Sequence, residues 1–269
     1  MRRSIARINR FLIWAGTPLS KFIEGSRESI YILSELTMQS AQSLFSQRGM
    51  RPGEFARNVQ SIGLSAFPIL GLVMFLIGFI TALQSAAQLR LVGANIFVAD
   101  LLAVGITAEM GPLMTAILVA GRSGSAIASE IATMKYTEEL DALKTLGANP
   151  VRFVMVPKLW AMIFVMPILT LFADAMGIMG GTVIAMSYLD LSFDAFWLNM
   201  VKALQMEFLI NGFVKSVVFG TLITGVACIQ GIRFKGGADG VGRATTASVV
   251  ASIFAIIMAN SLLSLIFYM

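Results

Sequence analysis

Asn58 to Leu89 reads NVQSIGLSAFPILGLVMFLIGFITALQSAAQL, 32 residues without a single Asp, Glu, Lys or Arg. About 20 apolar residues, rising 1.5 Å each in a helix, cross the ~30 Å hydrocarbon layer of a bilayer. The stretch is long enough to span a membrane, and the centre of the span falls near Ile62–Leu83. Gly71 and Gly78, two turns apart on one face, would let a second helix come close. The rest of the chain has the same character. Only 13% of its residues are charged, against roughly 25% in a soluble domain. So few charges cannot cover a water-facing surface. The apolar runs are continuous rather than alternating, which excludes an outer-membrane barrel. These features predict an all-α integral membrane protein.

Four more spans lie outward from this one. The second runs near Leu101–Gly121 and carries Glu109, followed by Gly111-Pro112. A carboxylate at that depth costs about 2.5–3.5 kcal/mol on insertion scales unless it is paired or wetted. Pro112 removes a backbone donor beside it and frees a carbonyl. Glu109 therefore reads either as a structural contact between helices or as part of a transport path. Val151–Leu189 reads as one long span or two short ones, with Asp174 inside it and a GxxxG spacing at Gly177–Gly181. The fourth span, about Leu209–Gln230, has Lys215 in its first two turns. That lysine either snorkels to the surface or pairs with Glu109; counted from one face, the two lie about 9 Å and 14 Å deep. The last span is Ala244–Met269, with Ser248, Ser252, Asn260, Ser261 and Ser264 as uncharged helix contacts.

Between the second and third spans stands AGRSGSAIASEIATMKYTEELDALKTLGANP, Ala120–Pro150. Helix formers are dense in it, and Gly147 followed by Pro150 supplies a stop. Tyr136, Leu140, Leu143 and Leu146 form an apolar stripe, with Glu138, Glu139 and Asp141 off it. The stretch reads as a solvated loop helix or as an amphipathic acidic helix that a soluble partner grips. Asp190–Glu207, with Phe193, Phe196 and Trp197, reads as an interfacial connection. Arg233–Arg243 is glycine-rich but lacks Gly-Lys-Ser/Thr and a preceding strand, so it reads as an inter-span loop, with Thr245 and Thr246 capping the last helix.

Residues 1–57 form an N-terminal amphipathic, interfacial region, and residues 58–269 the transmembrane domain. Arg2, Arg3, Arg7 and Arg10 alternate with Ile5, Ile8, Phe11, Leu12 and Trp14, which suits a helix lying in an anionic headgroup layer. No apolar core with a cleavage site is read there, so no signal peptide is expected. With five spans, Lys and Arg number nine in residues 1–57, one at Arg90, five from Arg122 to Lys158, one at Lys202, one within a span at Lys215 and three from Arg233 to Arg243. The positive-inside rule places the N-terminus, Ala120–Pro150 and the glycine-rich loop in the cytoplasm, and the C-terminus outside. Histidine is absent and the one cysteine, Cys228, lies in an apolar run. No catalytic constellation and no metal site are expected from such a set.

Glu109-Met-Gly-Pro112, Ala120-Gly-Arg-Ser-Gly-Ser-Ala126, Glu130-Ile-Ala-Thr-Met134, Thr137-Glu-Glu-Leu140 and Asn149-Pro150 follow one another in order. Lys215-Ser216 and Gly242-Arg-Ala-Thr-Thr246 with Val249-Val250 come later. From about Ile62 to the C-terminus the chain resembles the MlaE (YrbE) family of ABC-transporter permeases. The family pattern has Arg before the Glu of the Gly-Pro block, where this chain has Ala108. The resemblance implies a homodimer in the bacterial inner membrane that moves phospholipids or related lipids between the inner and outer membranes. It implies a cytoplasmic ATPase that binds ATP and Mg, a periplasmic MCE-domain protein and a STAS-domain accessory protein as partners, with no cofactor in this chain. Nucleic acid is not among the implied partners. Glu130–Leu146 would be the coupling helix seated in the ATPase, with Glu130, Met134, Tyr136, Glu138, Glu139, Leu140 and Leu143 as its contact residues. Glu109 and Lys215 would be functional polar residues, and Leu72, Phe75, Leu76 and Phe79 of the first span would line a lipid cavity. The competing reading is a stand-alone secondary transporter or channel using Glu109, Asp174 and Lys215; it would need an internal inverted repeat, and none is seen.

Overall fold

The computed structural model describes residues 30–43, 53–189 and 191–269. These are helical throughout apart from short connections, and five helical stretches are long and apolar enough to cross a membrane. Arg2, Arg3, Arg7, Arg10 and the rest of the proposed N-terminal helix lie outside the described residues. A helix covering residues 30–43 (α1) lies along the start of the third span, where the Trp160 indole donates to Ser43 Oγ at 2.9 Å.

The first span, α2, is Glu54–Leu89. At 36 residues it is about 54 Å long, well over the thickness of the hydrocarbon layer. It starts at Gly53, which takes φ 77°. The third span begins with a π-helical turn at Val151–Met155 and continues as α7, Val156–Ser187, without a break. The two-span alternative for Val151–Leu189 is thereby removed. Asn149 and Pro150 explain its start: the Asn149 carboxamide oxygen accepts from the Val151 N–H at 2.9 Å, and proline fits the first helical position because it has no N–H to satisfy.

Small residues set how α2 meets α7. Gly78 rests on the Gly177 backbone and Gly180 on the Phe75 carbonyl, with no room for a Cβ at either glycine. In lipid there is no hydrophobic drive between helices, so such close backbone contact supplies the attraction. Of the GxxxG pair, Gly177 meets Gly78 of α2 while Gly181 meets the Leu102 side chain of the second span, so the spacing serves two neighbours.

The second span is longer than the sequence suggested. It covers Phe97–Tyr136 as α3 (Phe97–Gly105), α4 (Gly111–Val119) and α5 (Ser125–Tyr136), joined by π-helical turns at Ile106–Met110 and Ala120–Gly124. It does not stop at Gly121, because the hydroxyl- and alanine-rich residues beyond it continue the helix. The acidic stretch is not one helix either. α5 ends at Tyr136, Glu138 adopts φ 60°, and a separate helix, α6, follows at Glu139–Thr145. Gly147, at φ 75°, closes α6, and the Ala148 N–H donates back to the Leu143 carbonyl at 2.9 Å.

After α7, the amphipathic α8 (Phe193–Ala203) buries Phe196 and Met200 and exposes Phe193 and Trp197, whose rings stack 6.0 Å apart. The fourth span is α9, Met206–Ile232. The fifth, α10, runs Ala238–Tyr268, six residues earlier than the Ala244 start read from the sequence. Most of the glycine-rich segment is therefore its first turns, and Thr245 and Thr246 are not caps; their hydroxyls donate to the Gly242 carbonyl one turn back. Only 11% of the apolar window of α10 is buried within the chain, against 33–61% for the other spans.

Candidate functional site

The Ile106–Met110 turn is where the bundle becomes polar. Pro112 has no N–H, so the Ala108 carbonyl, four residues earlier, loses its helical partner. The Gly111 N–H reaches instead to the Ile106 carbonyl, which widens the turn. Lys215 of α9 fills the gap: its ammonium donates to the Ala108 carbonyl at 2.9 Å, to Glu109 Oε1 at 2.6 Å and to Ser264 Oγ at 2.9 Å. Ser264 Oγ donates to Glu109 Oε1 at 2.8 Å, and the Asn260 amide donates to Glu109 Oε2 at 3.1 Å. Gly212 packs against the Thr107 carbonyl and brings α9 close enough for this reach. Lys215 is fully buried, while the Glu109 side chain keeps 26% of its surface open. The charged donors and acceptors are matched, as a charged pair at this depth requires. Ser264 and Asn260, which the sequence offered only as helix contacts, complete the network. Their signal was spacing: one helical turn apart, they share a face of α10.

A second pair stands towards the end that carries most of the cations. Lys158 Nζ lies 2.7 Å from Glu130 Oε2 and 3.4 Å from Asn58 Oδ1, with the Lys158 side chain only 2% exposed. Glu130 thus reaches Lys158 while half of its side chain stays open to the groove beside it. Nearby, the Arg122 guanidinium donates to the Ser65 carbonyl on α2, and the Lys135 ammonium donates to the Ile232 carbonyl at the C-terminus of α9. A cation suits that helix end. An open groove of about 710 Å³ lies between α2 and this part of the second span, lined in part by Arg57, Asn58, Ser61, Arg122 and Glu130.

The other residues singled out from the sequence are spread over two surfaces. Tyr136, Glu138 and Glu139 are exposed, Met134 is half-buried, Leu143 is partly buried against the core and Leu140 is buried. The Tyr136 ring meets Phe234 edge-on at 6.2 Å. Glu139 accepts the Thr137 hydroxyl at 3.0 Å. On α6, Asp141 pairs with Lys144 at 2.7 Å, and that hydrogen bond holds its carboxyl below the usual aspartate range. Leu72 and Leu76 point away from the bundle, while Phe75 and Phe79 are half-buried. Asp174, in the middle of α7, is buried and lies against Gly111.

Five spans built around a buried ion pair, with an acidic helix at one end, define a polytopic α-helical membrane protein. Residues 55–266 match the family described as Permease MlaE. Over 212 residues the chain is 36% identical to a probable ABC transporter permease protein of Rickettsia prowazekii, covering 79% of this chain and 82% of that one. Over 213 residues it is 30% identical to the intermembrane phospholipid transport system permease protein MlaE of Haemophilus influenzae, with the same coverage. It is also 32% identical over 192 residues to the chloroplastic protein TRIGALACTOSYLDIACYLGLYCEROL 1 of Arabidopsis thaliana, covering 71% of this chain and 55% of that one. The chain belongs to the MlaE family of ABC-transporter permeases.

Proposed function

We propose that this chain is the membrane subunit of an ABC transporter that moves phospholipids or related lipids between the inner and outer membranes of a bacterium. The observation that carries this reading is the 30% identity over 213 residues to a permease named for intermembrane phospholipid transport. ATP hydrolysis belongs to a separate cytoplasmic ATPase, which grips the exposed residues around Tyr136, Glu138 and Glu139. A helix that interrupts itself at Glu138 and presents α6 beyond the end of a continuous span is suited to pass a push along that span. The cation-rich end faces the cytoplasm, by the positive-inside rule, and the C-terminus faces the periplasm.

The transporter works as a homodimer. The sparse burial of α10 within one chain supports this, because its outer face (Val250, Phe254, Ile257, Met258) is apolar and uncovered. Leu72 and Leu76 on α2, with Phe75 and Phe79 beside them, contact the lipid. The Glu109–Lys215 network holds the centre of the bundle rigid while the outer faces move. A periplasmic MCE-domain protein and a STAS-domain accessory protein complete the assembly.

The test is purification of the chain from its native membranes in mild detergent, with identification of co-purifying proteins and lipids. An ATPase and bound phospholipid are expected, and Glu138→Lys with Glu139→Lys should release the ATPase. A lone oligomer with no ATPase would overturn the reading in favour of a self-contained path through Glu109, Asp174 and Lys215.

A further inference from the structure

The second span and α7 cross the middle of the bundle antiparallel, and three contacts fix their register. Gly181 meets Leu102, Gly177 meets Ile106, and Gly111 meets Asp174. One further turn along each helix, four residues on from Gly111 and four back from Asp174, brings Thr115 to the level of Thr170. Thr115 is 0% exposed, Thr170 2% and Asp174 6%.

Thr115 Oγ1, Thr170 Oγ1 and Asp174 Oδ1 each lack a hydrogen-bond partner. Ser248 and Ser252 on α10 are likewise unpartnered, but no carboxylate stands among them, and two other buried threonines bond within their own helix. Thr107 donates to the Ala103 carbonyl at 2.7 Å, and Thr224 to the Gly220 carbonyl at 3.0 Å. Nor has Asp174 a counter-charge among the described residues. Both lysines buried in the bundle are committed, Lys215 to Glu109 and Lys158 to Glu130. α2 carries no charge from Asn58 to Leu89. Glu109 turns to α9 and α10. Asp100 on α3, Asp194 and Lys202 on α8 and Glu207 in the first turn of α9 stand towards the far end of the bundle.

A carboxylate shut away without a cation is among the costliest groups to bury, and unpartnered hydroxyls beside it add to the cost. One bound positive charge removes both penalties. The donors are a carboxylate and two hydroxyls, hard oxygens suited to an alkali cation and not to a soft metal. A single carboxylate balances one positive charge, and no group of three or more His, Cys, Asp or Glu among the described residues makes a divalent site. We propose that the Thr115–Thr170–Asp174 seam binds one monovalent cation, either a sodium ion held by the three side chains or a proton on the Asp174 carboxyl.

Because all three side chains are buried between α4 and α7, the cation enters or leaves only when those helices part. Occupancy is therefore tied to the packing of the turn that also places Glu109. This site stands apart from the phospholipid reading, and its test needs no lipid substrate.

The test uses the full purified chain in detergent, following its apparent unfolding midpoint in two series. In the first, sodium replaces choline at constant ionic strength and neutral pH. In the second, pH is raised without sodium. A sodium site makes the midpoint climb with sodium, by roughly 5 °C or more at 100 times the dissociation constant. A proton held only by the folded chain makes the midpoint fall as pH rises. Asp174→Asn, a neutral isostere, flattens whichever response is present. Thr170→Val weakens a sodium response and leaves a proton response in place, which separates the two sources. Parallel behaviour of wild type and Asp174→Asn in both series would overturn the proposal. So would a flat wild type, which keeps the test decisive should Asp174→Asn fail to fold.

Discussion

Lys215 occupies the hydrogen-bonding place that Pro112 vacates. The proline takes a donor out of the second span, and an ammonium from the fourth span restores it at the Ala108 carbonyl, 2.9 Å away. The helix interruption and the buried lysine are thus two halves of one device, and neither is tolerable without the other.

Lys215→Met should therefore be more harmful than a surface change. It strands the Ala108 carbonyl and leaves Glu109 without its cation. The expected loss is about 3 kcal/mol, the low end for breaking a buried pair, because Glu109 keeps part of its surface open. Adding Glu109→Gln should recover part of that loss. Unfolding midpoints of the two single variants and the double, measured in detergent, give the coupling; a midpoint for Lys215→Met equal to wild type would refute the pairing.

The Lys158–Glu130 pair is lopsided, and its two halves should fail differently. The Lys158 side chain is 2% exposed and the Glu130 side chain 50%. Glu130→Leu strands a buried ammonium, with an expected cost of about 3 kcal/mol or more. Lys158→Met leaves a carboxylate that water can reach, so its cost should stay near 1 kcal/mol. Equal midpoints for the two variants would argue against this account.

Gly78→Ala should separate α2 from α7, because the added Cβ would overlap the Gly177 backbone. A loss of about 1–3 kcal/mol is expected, as for other overpacked cores. Gly121 is the control: a Cβ there meets nothing within 4 Å, and alanine is the better helix former by about 1 kcal/mol. The two variants should move the midpoint in opposite directions.

On α6, the stabilisation from Asp141 depends on pH in a defined sense. Its carboxyl is held down in the folded chain, first by the hydrogen bond from Lys144 and then by that charge. The contribution is present above the ordinary aspartate range, near pH 3.9, and is lost as pH falls through the depressed value. Lys144→Met should return Asp141 to ordinary titration, which carboxyl chemical shifts would record. The site is fully exposed, so added salt should shrink the difference.

The spans were legible because charge-free runs leave the chain no other way to bury its backbone. Counting residues left the pairing of Glu109 with Lys215 open as one of two readings, and the geometry that joins them was not legible. It depends on the widened turn at Pro112 and on Gly212 letting α9 approach, which are three-dimensional facts. The break at Glu138 was unreadable for a simpler reason. Glutamate is a helix former with no preference for the left-handed region, so nothing local announces it. The Ala238–Arg243 turns were misread for the opposite reason: glycine signals a loop, and here packing of α10 overrides that weak preference.

The network around Glu109 also sets a constraint on how the chain is made. Glu109 precedes Lys215 by 106 residues and Asn260 by 151. At roughly 5–20 residues per second, the lysine is synthesised some 5–20 s after the glutamate. For that interval a nascent second span must be held by the insertion machinery, by water or by a proton on the carboxyl. The chain becomes self-sufficient only when its final helix arrives, so truncations from the C-terminus should trap it at the insertion site rather than release a shorter bundle.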